Sequence, residues 1–233
     1  MSEHEGEKKP VTIHNVDQRS PTVTLDDARI PGGELRLEQC GATSAGFVSG
    51  TSSVVWGTAP RMARWMLDRP ELFRDRRVLE LGSGIGLVGA AAAALGAAVV
   101  LTDCEGAMPL LATNECLLAA QGFPVLVSKL DWGSSVDEET VRSVAGVGND
   151  GFDVLLACDV ILSGWDTDKL LETCGRLLKR DSTSCFLLGF EFREDWETIS
   201  LFLERALDEF GLDHRFVTLR ENGSEAEEDD DEE

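Results

Sequence analysis

The segment Val78-Leu-Glu-Leu-Gly-Ser-Gly-Ile-Gly-Leu-Val-Gly89 passes from an apolar strand, Val78–Leu81, through closely spaced glycines into an Ala-rich helix, Leu87–Leu95, which Gly96 closes. Glycines at 82 and 84 let backbone approach a ligand, and the helix behind them aims its unbonded N–H groups at the same place. Taken alone, Gly84-x-Gly86-x-x-Gly89 fits a dinucleotide fingerprint, so the glycines leave a nicotinamide dinucleotide and S-adenosylmethionine both open. Glu80 separates them. A pyrophosphate is anionic and is opposed by a carboxylate at the loop entry. S-adenosylmethionine has no phosphate and carries a sulfonium and an ammonium beside its carboxylate.

Downstream of this segment strands and helices alternate. Ala98–Thr102 is a buried strand, Met108–Ala120 a helix striped by Leu110, Leu111, Leu117 and Leu118, and Val125–Lys129 the third strand. Residues 133–150 read as a polar loop with room for a short helical turn. Phe152–Cys158 is a continuous apolar strand, followed by a helix striped by Leu170, Leu171, Cys174, Leu177 and Leu178. Cys185–Phe190 is the fifth strand, Trp196–Phe210 an amphipathic helix, and His214–Leu219 alternates like an edge strand. This spacing means parallel βαβ units with helices on both faces of the sheet, and such sheets bind at the carboxyl ends of their strands.

Upstream, Thr22–Leu25 and Glu34–Glu38 flank Ile30-Pro-Gly-Gly33 and read as a hairpin; a Gly/Ser/Thr-rich loop, 41–53, follows. Thr58 reads as the cap of a helix with Pro60 in its first turn and Met62, Trp65 and Met66 on one face. The expected organisation is a flexible leader at 1–20, the hairpin and loop at 21–53, the α/β domain at 54–220 and a disordered acidic tail at 221–233.

The residues that follow each strand carry the chemistry. Asp103, 17 residues after Gly86, is placed to accept both ribose hydroxyls in either cofactor class. Asp131-Trp132 offers what an adenine pocket needs, a stacking face and an acceptor for the exocyclic amine. Asp159, after the fourth strand, is placed where donor methyl and acceptor meet, and there it orients an incoming amine. That amine must lose its proton before attack, since a lysine of pKa ~10.4 has no free lone pair when charged. Positioning and desolvation then supply most of the rate, with little demand for a strong base.

The formal net charge is −22, and eight of the nine residues Glu225–Glu233 are acidic, leaving the body near −14. Such a surface repels phosphate backbones and anionic membranes, so no nucleic-acid or membrane partner is expected and a basic protein segment is the natural complement. Six scattered cysteines without a C-x-x-C pair, and three distant histidines, suggest reduced thiols and no metal site. With no secretory signal or long apolar run, the expectation is a cytoplasmic monomer, with the nucleus left open.

Val54-Val-Trp-Gly-Thr-Ala-Pro60, the glycine segment, Leu-Thr-Asp103, Leu-Leu-Ala-Thr-Asn114, Leu-Asp-Trp132 and Ala-Cys-Asp-Val-Ile161 occur in this order. Together they resemble the seven-β-strand protein-lysine methyltransferases of the methyltransferase-like group, over about residues 34–220. The glycine segment is common to most class I methyltransferases; the upstream Val-Trp and the Asp-Trp are more specific to the group.

The resemblance implies a Rossmann-like class I sandwich, a mostly parallel twisted sheet with helices on both faces and an N-terminal β-hairpin addition. It implies S-adenosylmethionine contacts at Trp56, at the Gly82-Ser83-Gly84 turn, and at Asp103, Trp132 and Cys158; Gly86 of the glycine segment is expected to join them. Asp159 is implied to sit at the acceptor lysine of a protein substrate; known substrates of the group include chaperones, AAA ATPases, elongation factors and calmodulin. The chain departs from the group at three places. Leu162 stands where an aromatic is usual, in a chain without any tyrosine; Cys158 stands where alanine is more common; and the acidic residues after Leu219 leave little for a seventh strand. The Asn/Asp-Pro-Pro-Tyr motif of enzymes that methylate planar nitrogens is missing. Two alternatives to lysine methylation stand beside it: a methyltransferase of the same fold acting on another side chain or a small molecule, and a non-catalytic module that binds S-adenosylmethionine or a partner.

Overall fold

A computed structural model describes residues 17–40, 42–43, 46–47, 51–162, 164–191, 196–220 and 222–226. The antiparallel hairpin is formed by β1 (Thr22–Asp26) and β2 (Glu34–Glu38), and two-residue strands β3 (Ala42–Thr43) and β4 (Gly46–Phe47) pair within the following loop. Five parallel strands make the main sheet: β5 (Arg77–Leu81), β6 (Ala98–Asp103), β7 (Leu126–Lys129), β8 (Val154–Cys158) and β9 (Cys185–Gly189), in the order β7-β6-β5-β8-β9. Around them lie α1 (Thr58–Leu67), α2 (Leu87–Ala94), α3 (Met108–Ala120), α4 (Ser135–Ala145), α5 (Thr167–Leu177) and α6 (Trp196–Phe210). This is the expected α/β sandwich.

The central strands read as unbroken apolar runs because both faces of the sheet are covered. Alternate residues leave to opposite sides: Val78, Leu101 and Leu156 enter one core, and Leu79, Val100 and Leu155 the other. The first core is closed by α1, α2, α3 and the hairpin, through Met66, Ala91, Leu111, Leu35 and Leu37. The second is closed by α4, α5 and α6, through Val141, Leu170, Ile199 and Phe202. Alanines along α2 keep that helix close against the strands, and residues 90–92 are fully buried. The hairpin is thus part of the domain's core, not an appendage.

Asn114 fastens it there. Its fully buried amide accepts from the Glu38 N–H (2.8 Å) and donates to the Glu38 and Ile85 carbonyls (both 2.9 Å), joining β2 to the glycine segment. The leucine stripe read for α3 is only half right: Leu111 and Leu118 are buried, Leu110 and Leu117 half-buried, and Asn114 shares the inner face. Asn114→Ala leaves three backbone groups without that partner and is expected to lower unfolding stability by about 2 kcal/mol, measured by urea denaturation. An unchanged midpoint would mean water replaces the amide.

Several expectations are corrected. Residues 133–150 hold a three-turn helix, α4, not a polar loop. Ser134 caps it by accepting the Asp137 N–H, acidic Asp137 and Glu138 occupy the first turn, and Val141 faces the core. Its apolar stripe is thin, with Val136 exposed, so periodicity alone missed it. His214–Leu219 does not join the sheet. Its Thr218 carbonyl accepts from the Ala226 N–H, and Leu219 bridges Glu225, so the chain pairs with its own end around Asn222-Gly223-Ser224. Among the described residues β9 is therefore the edge, and neither a sixth nor a seventh strand follows it.

Residues 222–226, assigned to the acidic tail, fold back on α1, where the Trp65 indole donates to Glu225 (2.9 Å) and Arg69 pairs with it. Residues 17–20 are likewise no free leader: Gln39 donates to the Asp17 and Ser20 carbonyls, and Gln18 to that of Val55. The loop 41–53 contains β3, β4 and a 3-10 turn at Thr51–Ser53. The rest of the leader (1–16), of the loop (41, 44–45, 48–50) and of the tail (221, 227–233) lies outside the described residues.

Candidate functional site

After β5 the chain moves outward through β6 and β7, then returns to place β8 on the other side of β5. At this reversal of strand order the loops diverge, and a cavity of about 320 Å³ opens at the carboxyl ends of the strands. Of the residues singled out from the sequence, only Gly86 does not line it. Gly86 is the N-cap of α2 at φ +90°, where a Cβ would stand 2.7 Å from Leu101 Cδ1, so its bareness serves helix–strand packing and not ligand contact.

Gly82, Ser83 and Gly84 form the cavity floor. At Gly82 (φ +67°) a Cβ would meet Val160 Cγ1 at 2.8 Å and Trp132 at 3.5 Å, so a side chain there would run into the loops that follow β8 and β7. The Ser83 Oγ accepts from the Thr102 N–H (3.0 Å), pinning the turn to β6. Beneath it lies Glu80, only 2% exposed, whose Oε2 accepts from the Gly89 N–H at 3.0 Å. Burial pushes its carboxyl up from 4.5 to about 8, against the lowering effect of that hydrogen bond.

Asp103 ends β6 and stabilises the turn as well as bordering the cavity. Its Oδ2 accepts from the Gly84 N–H (2.8 Å) and its Oδ1 from the Cys104 N–H (2.7 Å). After β7, Asp131 pairs with Lys129 (2.6 Å), and Trp132 stands half-buried at the wall. The following residue is held from behind: the Gly133 N–H donates to Thr173 Oγ1 (2.8 Å), Thr173 donates to buried Glu138 (3.1 Å), and Arg176 donates twice to the same carboxylate (2.8 Å each). This brace joins α4 and α5. Nothing in the sequence marks it, because α4 carries only a thin apolar stripe.

After β8 come Cys158 and Asp159. Burial, then the neighbouring carboxylates of Asp159 and Glu80, push the Cys158 thiol well above its usual value, so it remains a neutral, poor nucleophile. Asp159 has a left-handed backbone (φ +54°), tolerated by Asp better than by most residues, and its N–H donates to the Gly189 carbonyl (2.8 Å). Its Oδ1 accepts from the Thr58 hydroxyl at 2.9 Å. Thr58 was expected to cap α1; Gly57 holds the cap position, and the Thr58 hydroxyl orients Asp159 instead. Trp56, just before α1, also lines the cavity, its indole N–H donating to the Thr51 carbonyl (2.9 Å).

The structure adds one aromatic that the sequence reading passed over. Trp165 lines the cavity from the β8–α5 loop, with its ring centroid 6.1 Å from that of Trp132. Among the described residues Lys169 is the only basic side chain of the lining, and its ammonium pairs with Asp166 at 2.9 Å. Five carboxyl side chains thus border a space of largely apolar walls: Asp131 and Asp166 are paired with lysines, Glu80 and Asp103 have no lysine or arginine partner among the described residues, and Asp159 takes the Thr58 hydroxyl. That donor set suits a ligand with positive charge and ribose hydroxyls, and offers a pyrophosphate no free cation.

A family model described as lysine methyltransferase matches residues 35–207. The chain is 30% identical over 148 residues to protein N-lysine methyltransferase METTL21A of Danio rerio, an alignment covering 63% of this chain and 64% of that protein. It is 32% identical over 178 residues to protein-lysine N-methyltransferase EEF2KMT of Mus musculus, covering 70% and 50%. The alignments therefore span less than two thirds of either relative. Among solved structures, a SAM-dependent methyltransferase from Agrobacterium tumefaciens superposes with a TM-score of 0.51 at 16% identity, covering 81% of this chain and 58% of that one. This last likeness concerns the fold.

Proposed function

Because the chain belongs to the lysine methyltransferase family, we propose that it transfers the methyl group of S-adenosylmethionine to a lysine side chain of a protein substrate. The observation that carries this reading is the single cavity at the sheet's switch point that Glu80, Asp103 and Asp159 share. When bound, S-adenosylmethionine supplies a methyl on a sulfonium, and the bond pair returns to sulfur as the lysine nitrogen takes the carbon.

The chain's own residues bind, orient and desolvate. Asp103 takes the ribose hydroxyls while holding Gly84 in place. The bare turn at Gly82-Ser83-Gly84 admits the methionyl part, Trp132 with Asp131 flanks the adenine, and Trp56 and Cys158 complete the enclosure. Asp159, oriented by Thr58, attracts the substrate ammonium and directs its lone pair once the proton has left to solvent. Apolar walls favour that loss, because a desolvated ammonium is the costlier form. The acidic body of the protein favours substrates that present lysine within a basic segment.

Glu80 makes cofactor binding a proton-linked event. Its carboxyl holds a proton to about pH 8 in the folded protein and loses it near 4.5 when unfolded. The stability this confers is complete below the lower value and lost as pH rises through the higher. The melting temperature of the wild type is therefore expected to fall, relative to Glu80→Gln, between about pH 5 and about pH 9. A bound sulfonium and ammonium favour the carboxylate, so at neutral pH binding should release a proton. Calorimetry in buffers of different ionisation heat reads that release. Equal heats in all buffers would place Glu80 out of reach of the ligand's charge.

The reading is tested by incubating the protein with methyl-labelled S-adenosylmethionine and cell extract, then hydrolysing the labelled protein. Methyl-lysine in the hydrolysate is the expected product. Label on another residue would reassign the acceptor, and cofactor binding with no label on any protein would make the chain a binding module.

A further inference from the structure

We propose that Trp165 is the specificity-determining residue of the acceptor channel, its indole forming the wall along which a lysine side chain reaches the reaction centre; this rests on the function proposed above. An indole is the largest apolar side chain, and Trp165 leaves 44% of itself exposed. Its position is nevertheless fixed. The Trp165 N–H donates to the Leu162 carbonyl (3.1 Å), closing a turn, and the Thr167 N–H donates to the Trp165 carbonyl (3.0 Å). Asp166 then caps α5 by accepting the Lys169 N–H. On its inner side the ring packs against Trp132 with planes 53° apart. A side chain so fixed, half in contact with a cavity wall and half open, is a platform awaiting a second partner.

What that partner must be follows from the rim. Trp165 and Leu162 line the same cavity as Asp159, and the charges beside Trp165, Asp166 and Lys169, are paired with each other, so the surfaces offered to a ligand there are the apolar ones and the Asp159 carboxylate. A chain of methylenes ending in a cation matches that sequence of surfaces. The stem gains apolar contact and the ammonium gains the negative face of the ring until it reaches Asp159. Leu162 adds no such face, and the protein has no tyrosine, so Trp165 is the aromatic that the β8–α5 loop offers for this purpose.

The test uses the full chain and two ligands: S-adenosylhomocysteine, and a bisubstrate analogue in which a primary aminoalkyl chain is attached at the position of the transferred methyl. The ratio of their affinities isolates the acceptor channel from the cofactor pocket. The wild type should bind the bisubstrate analogue more tightly. In Trp165→Ala this advantage should shrink about tenfold, with S-adenosylhomocysteine affinity within about twofold of wild type and Trp165→Phe retaining most of the advantage. An undiminished advantage in Trp165→Ala overturns the assignment while leaving the lysine reading intact. A wild type showing no advantage overturns both, and failure to bind S-adenosylhomocysteine removes the cofactor reading on which they depend.

Discussion

Asp159→Asn is expected to lower kcat/KM for protein methylation by 10² to 10³-fold, or about 3–4 kcal/mol of transition-state stabilisation. Asparagine keeps the shape, accepts the left-handed backbone at φ +54° as readily as aspartate, and can still take the Thr58 hydroxyl on its oxygen. Only the charge is lost. A charge-assisted hydrogen bond to the incoming ammonium accounts for about 1.5–3 kcal/mol, and misalignment of the attacking nitrogen supplies the rest. Cofactor affinity and melting temperature should barely move. Thr58→Val, which removes the orienting hydroxyl but leaves the carboxylate, should cost less, about tenfold. Full activity in Asp159→Asn would show that the carboxylate does not meet the substrate.

Asp103→Ala is expected to weaken S-adenosylmethionine binding about 100-fold, or about 3 kcal/mol. Two losses combine. The ribose hydroxyls lose their acceptor, and the Gly84 N–H loses the carboxylate that now holds it at 2.8 Å, so the glycine turn is less well placed. Asp103→Asn retains an acceptor for one of these partners and should lose about tenfold. Titration calorimetry with S-adenosylmethionine distinguishes the three proteins. Because Asp103 is only part-buried and outside both hydrophobic cores, global stability should fall far less than affinity, which separates lost binding from lost folding. Wild-type affinity in the alanine variant would mean that the cofactor is held elsewhere.

How much of the site was legible from the sequence depends on which element delivers each residue. Strand ends are local features, and in a parallel sheet they converge on one edge by topology alone. Glu80, Asp103, Asp131, Trp132 and Asp159 are therefore legible from the sequence, Cys158 follows from the family resemblance, and all line one cavity. Gly86 lies outside that lining and packs α2 against β6, because the same glycine spacing serves ligand approach and helix packing alike. Residues delivered from elsewhere are not legible in this way: Thr58 reaches Asp159 across 101 positions, and Trp165 is one aromatic in a loop without periodicity. The Thr173–Glu138–Arg176 brace was hidden for a related reason. Thr173 and Glu138 are polar and bury only because α4, α5 and the loop after β7 meet around them, with Arg176 closing the pair from the exposed side.

The sequence by itself determined the succession of strand, glycine turn and helix, the two-sided burial of the central strands and the hairpin, since each follows from local propensity and short-range periodicity. Only the tertiary structure decided that His214–Leu219 turns back on its own continuation and leaves β9 as the edge among the described residues. An alternating segment has two ways to satisfy its backbone, a neighbouring strand or its own hairpin. Turn chemistry at Asn222-Gly223-Ser224 and the grip of Trp65 and Arg69 on Glu225 favour the second, and those contacts span more than 150 positions of the chain.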